Sequence, residues 1–235
     1  MGDGVRSFDC GGATTREINI FLKEAAARGP EVEVVLLNPD SRHNIGVGII
    51  SALNVHIPGH VGYYCMGLCD GVSAQIDGDA GWGLAENLMG GRVEISVSAG
   101  SAPGATLRGG TLVIRGNSGA RCGIAMKGGA IVVGGDAGYM TGFMMQKGTI
   151  VIGGDAGDAL GDSLYEGVIY LRGEPKSLGS DAVYKEMTEE DFSALGDLLL
   201  DAEFDYDPSE FRKIASARRL YNFSTKEKEV WRHAL

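Results

Sequence analysis

A period of nineteen residues constrains this chain more than any other feature of its sequence. Glycine recurs at Gly81, Gly100, Gly119, Gly138 and Gly157, and a second series runs through Gly91, Gly110, Gly129, Gly148 and Gly167. A fixed period near twenty with no missed step means stacked, equivalent units, none of which can bury its apolar face alone. Between the glycines lie GGTLVIRG, GGAIVVGG and KGTIVIGG, short β-branched runs bounded by turn residues, which read as strands.

The apolar positions set the geometry. Steps of nineteen from Ala74 give Val93, Leu112, Ile131, Ile150 and Ile169; two residues further along lie Ile76, Ile95, Ile114, Val133, Ile152 and Leu171. Two columns in period-two register face one interior. A third column, Leu88, Leu107, Met126, Met145 and Leu164, is expected to lie in a second strand of each unit. The pattern predicts an all-β fold, a right-handed parallel β-helix of about nineteen residues per coil, with coils stacked ~4.8 Å apart. Gly104, Gly123, Gly142 and Gly161 follow the first glycine series by four residues and mark corners of positive φ or close backbone approach; Ala85 breaks that column at its first coil. The G-G-D-A-G turns differ from a dinucleotide-binding loop, since they recur in tandem with no helix behind them.

The flanks read differently. Residues 1–42 are predicted to form an N-terminal cap: an irregular stretch over 1–12, then a capping box from Thr14 to Glu17 opening a helix with Ile18, Phe21, Leu22 and Ala25 on one face. That helix should stop at Gly29-Pro30, and a strand should follow over 31–39. The β-helix is expected over 43–173, irregular in its first coils, and a helical extension over 174–235. Thr188 would cap one helix, and Asp207-Pro208 would open a second, running to about Leu220. Trp231, in the last stretch, suggests docking against another surface.

Composition excludes several classes. A net charge of −10 argues against a nucleic-acid partner. No apolar run reaches the length of a membrane span and the N-terminus lacks the regions of a signal peptide, so a cytoplasmic protein is expected. Cys10, Cys65, Cys69 and Cys122 form no C-x-x-C pair and no disulfide framework; His56, His60, Cys65 and Cys69 crowd together at spacings that match no usual zinc pattern. No catalytic constellation emerges. Asp136, Asp155 and Asp158 fall at repeated turns, where aspartates usually satisfy backbone donors. A stacked acidic patch keeps a carbohydrate-binding or carbohydrate-cleaving reading open, although aromatics are 7% of the chain and no aromatic column is expected.

One column is out of place. Val113, Val132, Val151 and Tyr170 point away from the core, where a protein that lives alone should be polar. Such a stripe needs a cover, either the chain's own C-terminal helices or a partner subunit. These four residues, with Trp231, are the candidate partner interface.

The segments GHVGYYCMG (59–67), AENLMGG (85–91), ARCGIAMKGG (120–129) and GDAGDALGDSLYEG (154–167) resemble the GXGXG family, the β-helix domain that ends the large subunit of glutamate synthase. The resemblance covers nearly the whole chain through LGSD at 178–181 and is nearest to free-standing members. It implies a hetero-oligomer with an amidotransferase-like subunit and a flavin-binding synthase-like subunit that carries FMN. The implied chemistry converts methylamine and glutamate to N-methylglutamate and ammonia, or, for a domain of glutamate synthase proper, uses glutamine and 2-oxoglutarate. It assigns no catalytic, cofactor-binding or metal residue to this chain, which would brace its partners.

Overall fold

The computed structural model describes residues 5–220 and shows a parallel β-solenoid. Among the described residues one sheet of eleven strands is formed. In chain order they are β1 (Val5–Asp9), β2 (Glu33–Leu37), β3 (Leu53–Ile57), β4 (Val72–Ile76), β5 (Gly91–Ile95), β6 (Thr111–Ile114), β7 (Lys127–Val133), β8 (Lys147–Ile152), β9 (Val168–Leu171), β10 (Ala182–Lys185) and β11 (Arg212–Ser216). Strands β1 to β9 pair in sequence order, all parallel; β11 then pairs antiparallel with β9, and β10 closes the edge. The register is the one the apolar columns demand. Val93 faces Leu112, Ile131, Ile150 and Ile169 in successive strands, and Ile95 leads through Ile114, Val133 and Ile152 to Leu171. All of these side chains are fully buried in a single core.

The wall that returns each coil to the next strand is not a strand. Leu88, Leu107, Met126, Met145 and Leu164 are buried as expected, but they end segments whose backbone alternates in hand. In every coil three residues two apart take positive φ: Tyr64, Met66 and Leu68; then Gly83, Ala85 and Asn87; then Ala102, Gly104 and Thr106; and so on to Ala159, Gly161 and Ser163. Alternation turns successive N–H groups up and down the stack. Tyr64 and Leu68 donate to carbonyls of the following coil, Trp82 O at 2.7 Å and Glu86 O at 2.8 Å, whereas Ala85 donates back to Cys65 O at 2.9 Å. A left-handed residue with a side chain loses about 1–2 kcal/mol, and the bonds between coils offset that loss. The middle position points inward. A Cβ on Gly104, Gly123 or Gly142 would lie 2.5, 2.6 or 2.8 Å from the Cδ1 of Ile131, Ile150 or Ile169, so glycine is required both for φ and for space.

The ends are closed from within the chain. Helix α1 (Thr15–Ala26) begins at the capping box of Thr14 and Glu17 and buries Ile18, Leu22, Ala25 and Ala26 against the first coil. The stretch before it, read from sequence as irregular, is strand β1. Its own pattern is weak, with no fully buried residue, and it forms because the edge of β2 offers pairing and because Phe8 and Arg6 pack on Phe21 of α1, with centroids 4.7 Å apart and the guanidinium 4.6 Å over the ring.

At the other end, α2 (Glu189–Asp201) starts at a capping box of Thr188 and Asp191. The second helix predicted from Asp207 lasts one 3-10 turn, Pro208–Glu210, and gives way to β11. Asp207 does cap, accepting from Ser209 N at 2.8 Å. The open edge of β9 then takes the chain: Ile214 aligns with Ile169 and continues the core column, and pairing satisfies an edge that would otherwise face solvent.

Candidate functional site

The sheet's outer face has two halves. Over β6 to β9, Val113, Val132, Val151 and Tyr170 form the predicted column and are almost completely buried, packed with Leu195, Leu199 and Ala202 at α2 and with Phe211. The chain covers the column itself, so these four residues are not open to a partner, and the expectation of an interface there is corrected. The apolar face of α2 and the apolar half of the sheet complete each other. Trp231 lies outside the described residues.

A polar clasp fixes α2 in place. Tyr170 Oη donates to Asp191 Oδ1 at 2.7 Å and Lys213 Nζ to Asp191 Oδ2 at 2.7 Å, while Thr188 N donates to the same Oδ2 at 2.8 Å. Burial pushes the Asp191 carboxyl up, but the Lys213 ammonium, the Thr188 amide and the Tyr170 hydroxyl outweigh it and hold the group well below the usual carboxylate range. Burial and the Asp191 charge raise the Tyr170 phenol. Where the apolar half ends, Arg92 and Arg115 share Glu94 and reach the end of α2, at Asp201 Oδ2 (2.6 Å) and Ala202 O (2.6 Å). Beyond that line the outer face over β3 to β5 is polar and open, with Asn54, His56, Ser73 and Gln75.

The turn carboxylates are structural rungs. In one column of turns each side chain accepts the backbone N–H of the next coil: His60 from Asp79, Asp79 from Ser98, Ser98 from Asn117, Asn117 from Asp136, Asp136 from Asp155, and Asp155 from Glu174, all between 2.8 and 3.1 Å. Asp158 lies outside this ladder and accepts from Ser177 Oγ at 3.2 Å. Among the described residues no group of three or more histidine, cysteine or acidic side chains is placed to hold a metal. All four cysteines are free and buried; burial pushes the Cys122 thiol up to about 12, far from a reactive thiolate.

The exposed feature lies on the alternating wall and the turn that leads into it. His43, Tyr63 and Trp82 stack along the solenoid axis, with centroids 4.2 and 5.4 Å apart and planes within 6° and 17°. The glycine series makes room for the rings, since a Cβ on Gly62 would strike the His43 imidazole, one on Gly81 would be 2.7 Å from Tyr63 Cδ1, and one on Gly100 would be 2.8 Å from Trp82 Cδ1. His43 Nδ1 also accepts from Tyr63 N at 2.9 Å, which fixes the first ring. Trp82 is 61% exposed, Tyr63 47% and Leu68, on the same wall, 43%. The sequence reading expected no aromatic column. A ladder is present; its signal was the spacing of twenty and then nineteen residues from His43 to Tyr63 to Trp82, obscured by one inserted residue in the first coil.

No protein-family model matches the chain, and no curated protein matches it. Among the described residues no helix is long and apolar enough to cross a membrane.

Proposed function

We propose that this chain is a non-catalytic structural subunit of a flavin-containing, glutamate-synthase-like complex, a pillar that holds an amidotransferase-like subunit and an FMN-binding synthase-like subunit in fixed relation. Within that class it is the third subunit of N-methylglutamate synthase, whose reaction joins methylamine to glutamate with release of ammonia. The motifs that resemble the GXGXG family support this reading, and they coincide with one physical surface. Segments 59–67, 85–91, 120–129 and 154–167 all contribute left-handed residues or inward side chains to the alternating wall.

The observation that carries the proposal is the open aromatic and aliphatic patch of Tyr63, Trp82 and Leu68 on that wall. A rigid, uncovered patch of this kind marks a protein interface. Native purification tests it. Co-elution with two larger subunits, flavin absorbance and methylamine-dependent formation of N-methylglutamate are expected; a monomer without flavin would overturn the proposal. The aromatic ladder also favours a second reading, a carbohydrate-binding solenoid, because ring faces stack on sugars. Calorimetric titration with neutral and acidic oligosaccharides distinguishes the two, and saturable binding abolished by Trp82→Ala would favour the second.

A further inference from the structure

Within the exposed patch one charged group stands without a counterpart. Glu86 is partly buried on the alternating wall, and among the described residues no hydrogen bond or ion pair engages its carboxylate. A Cβ on Gly83 would lie 3.1 Å from Glu86 Oε2 and 3.5 Å from Tyr64 Cδ2, so the carboxylate and the phenol ring meet over the residue that follows Trp82. Desolvation alone pushes the Glu86 acid up, and the Glu86 charge contributes to raising Tyr64. Lys23 of α1 lies over Gly48, which is two coils away through Gly67, roughly 10 Å by the spacing of stacked strands.

A partly buried carboxylate that meets the Tyr64 ring, on the wall that also carries Trp82 and Tyr63, recognises a cation with a flat face. Guanidinium meets both demands, stacking on an aromatic ring while its N–H groups pair with the carboxylate. The rim is apolar, with Leu68 and Met89 both exposed, which suits a protein surface better than a free small cation. We infer that Glu86, with Tyr64 and Trp82, receives an arginine side chain of a partner subunit, and that this contact anchors the solenoid in its complex. The inference rests on the structural-subunit reading for the identity of that partner, and on the charge complementarity of the patch for the arginine.

Two measurements on the full chain test it. In the first, the Trp82 indole N–H resonance, assigned with Trp82→Phe, is followed during titration with N-acetylarginine amide and with its neutral isostere N-acetylcitrulline amide. A saturable shift with arginine alone, lost in Glu86→Gln, is expected; equal responses to the two probes would overturn the site. In the second, the chain is co-expressed with the amidotransferase-like and flavin-binding subunits. Glu86→Gln and Trp82→Ala are expected to weaken the complex at least tenfold, while Leu200→Ala on the outer side of α2 leaves it intact. A complex indifferent to Glu86→Gln would overturn the docking inference and leave the subunit reading standing. Failure of the wild-type chain to join either subunit would overturn that reading, and this docking with it.

Discussion

At Gly123 the backbone is left-handed and the space a side chain would need is already filled by Ile150 of the following coil. Gly123→Ala should therefore destabilise the chain by about 2–4 kcal/mol, combining overpacking with the left-handed penalty. Shortening the neighbour through Ile150→Val should restore part of the loss, a coupling that urea denaturation of the single and double variants would measure. Non-additivity in this direction is the expected outcome; strictly additive losses would show that the two side chains do not compete. Positions of this kind were legible in the sequence because only glycine answers both constraints and it recurs every nineteen residues. The same left-handed geometry at Tyr64, Met66, Ala85 and Arg121 was not, since no residue type marks it and the requirement comes from hydrogen bonds between coils.

Among the elements, α2 is the one whose attachment can be separated from the fold beneath it. Val133 faces the core and Val132 faces α2, although both are buried. Val133→Asp should abolish folding, because the charge enters the stack at a penalty of several kcal/mol. Val132→Asp should instead release α2, giving fast hydrogen exchange over 189–201 with the strands still protected. Acid should act in the same direction. The Asp191 carboxyl is held below its unfolded value of about 3.9, so its contribution is complete above that pH and is lost as pH falls below it. Protection factors in α2, taken relative to the intrinsic exchange rate at each pH, should fall below pH 4, earlier in Lys213→Ala than in the wild type; identical profiles would remove the clasp from the account. The apolar stripe and the capping box of α2 were both readable as sequence, and together they left two possible covers. In the C-terminal extension, expected to be helical, the sequence hid two strands, β10 and β11. The Asp207-Pro208 step ahead of β11 is a good helix opening, and only the unpaired edge of β9 turns the residues after that single turn into a strand.

The whole molecule is a one-dimensional stack, each coil bonded to the coils before and after it, so its stability is a chain of neighbour contacts with two ends to protect. Removing residues 5–27 would take away β1 and α1 and uncover the core around Ile45 and Ile49. Light scattering should then show concentration-dependent association beyond that of the full chain, and an unaltered profile would show that the end protects itself. The opposite end is finished in another manner. Because β11 runs against β9 instead of with it, the C-terminal side offers no template for a further parallel rung. Within the stack the column lengthens by insertion of whole nineteen-residue units, each adding ~4.8 Å. The distance between whatever is seated near one terminus and whatever is seated near the other is thereby fixed by an integer, and a ruler of that sort can be recalibrated in steps but cannot drift.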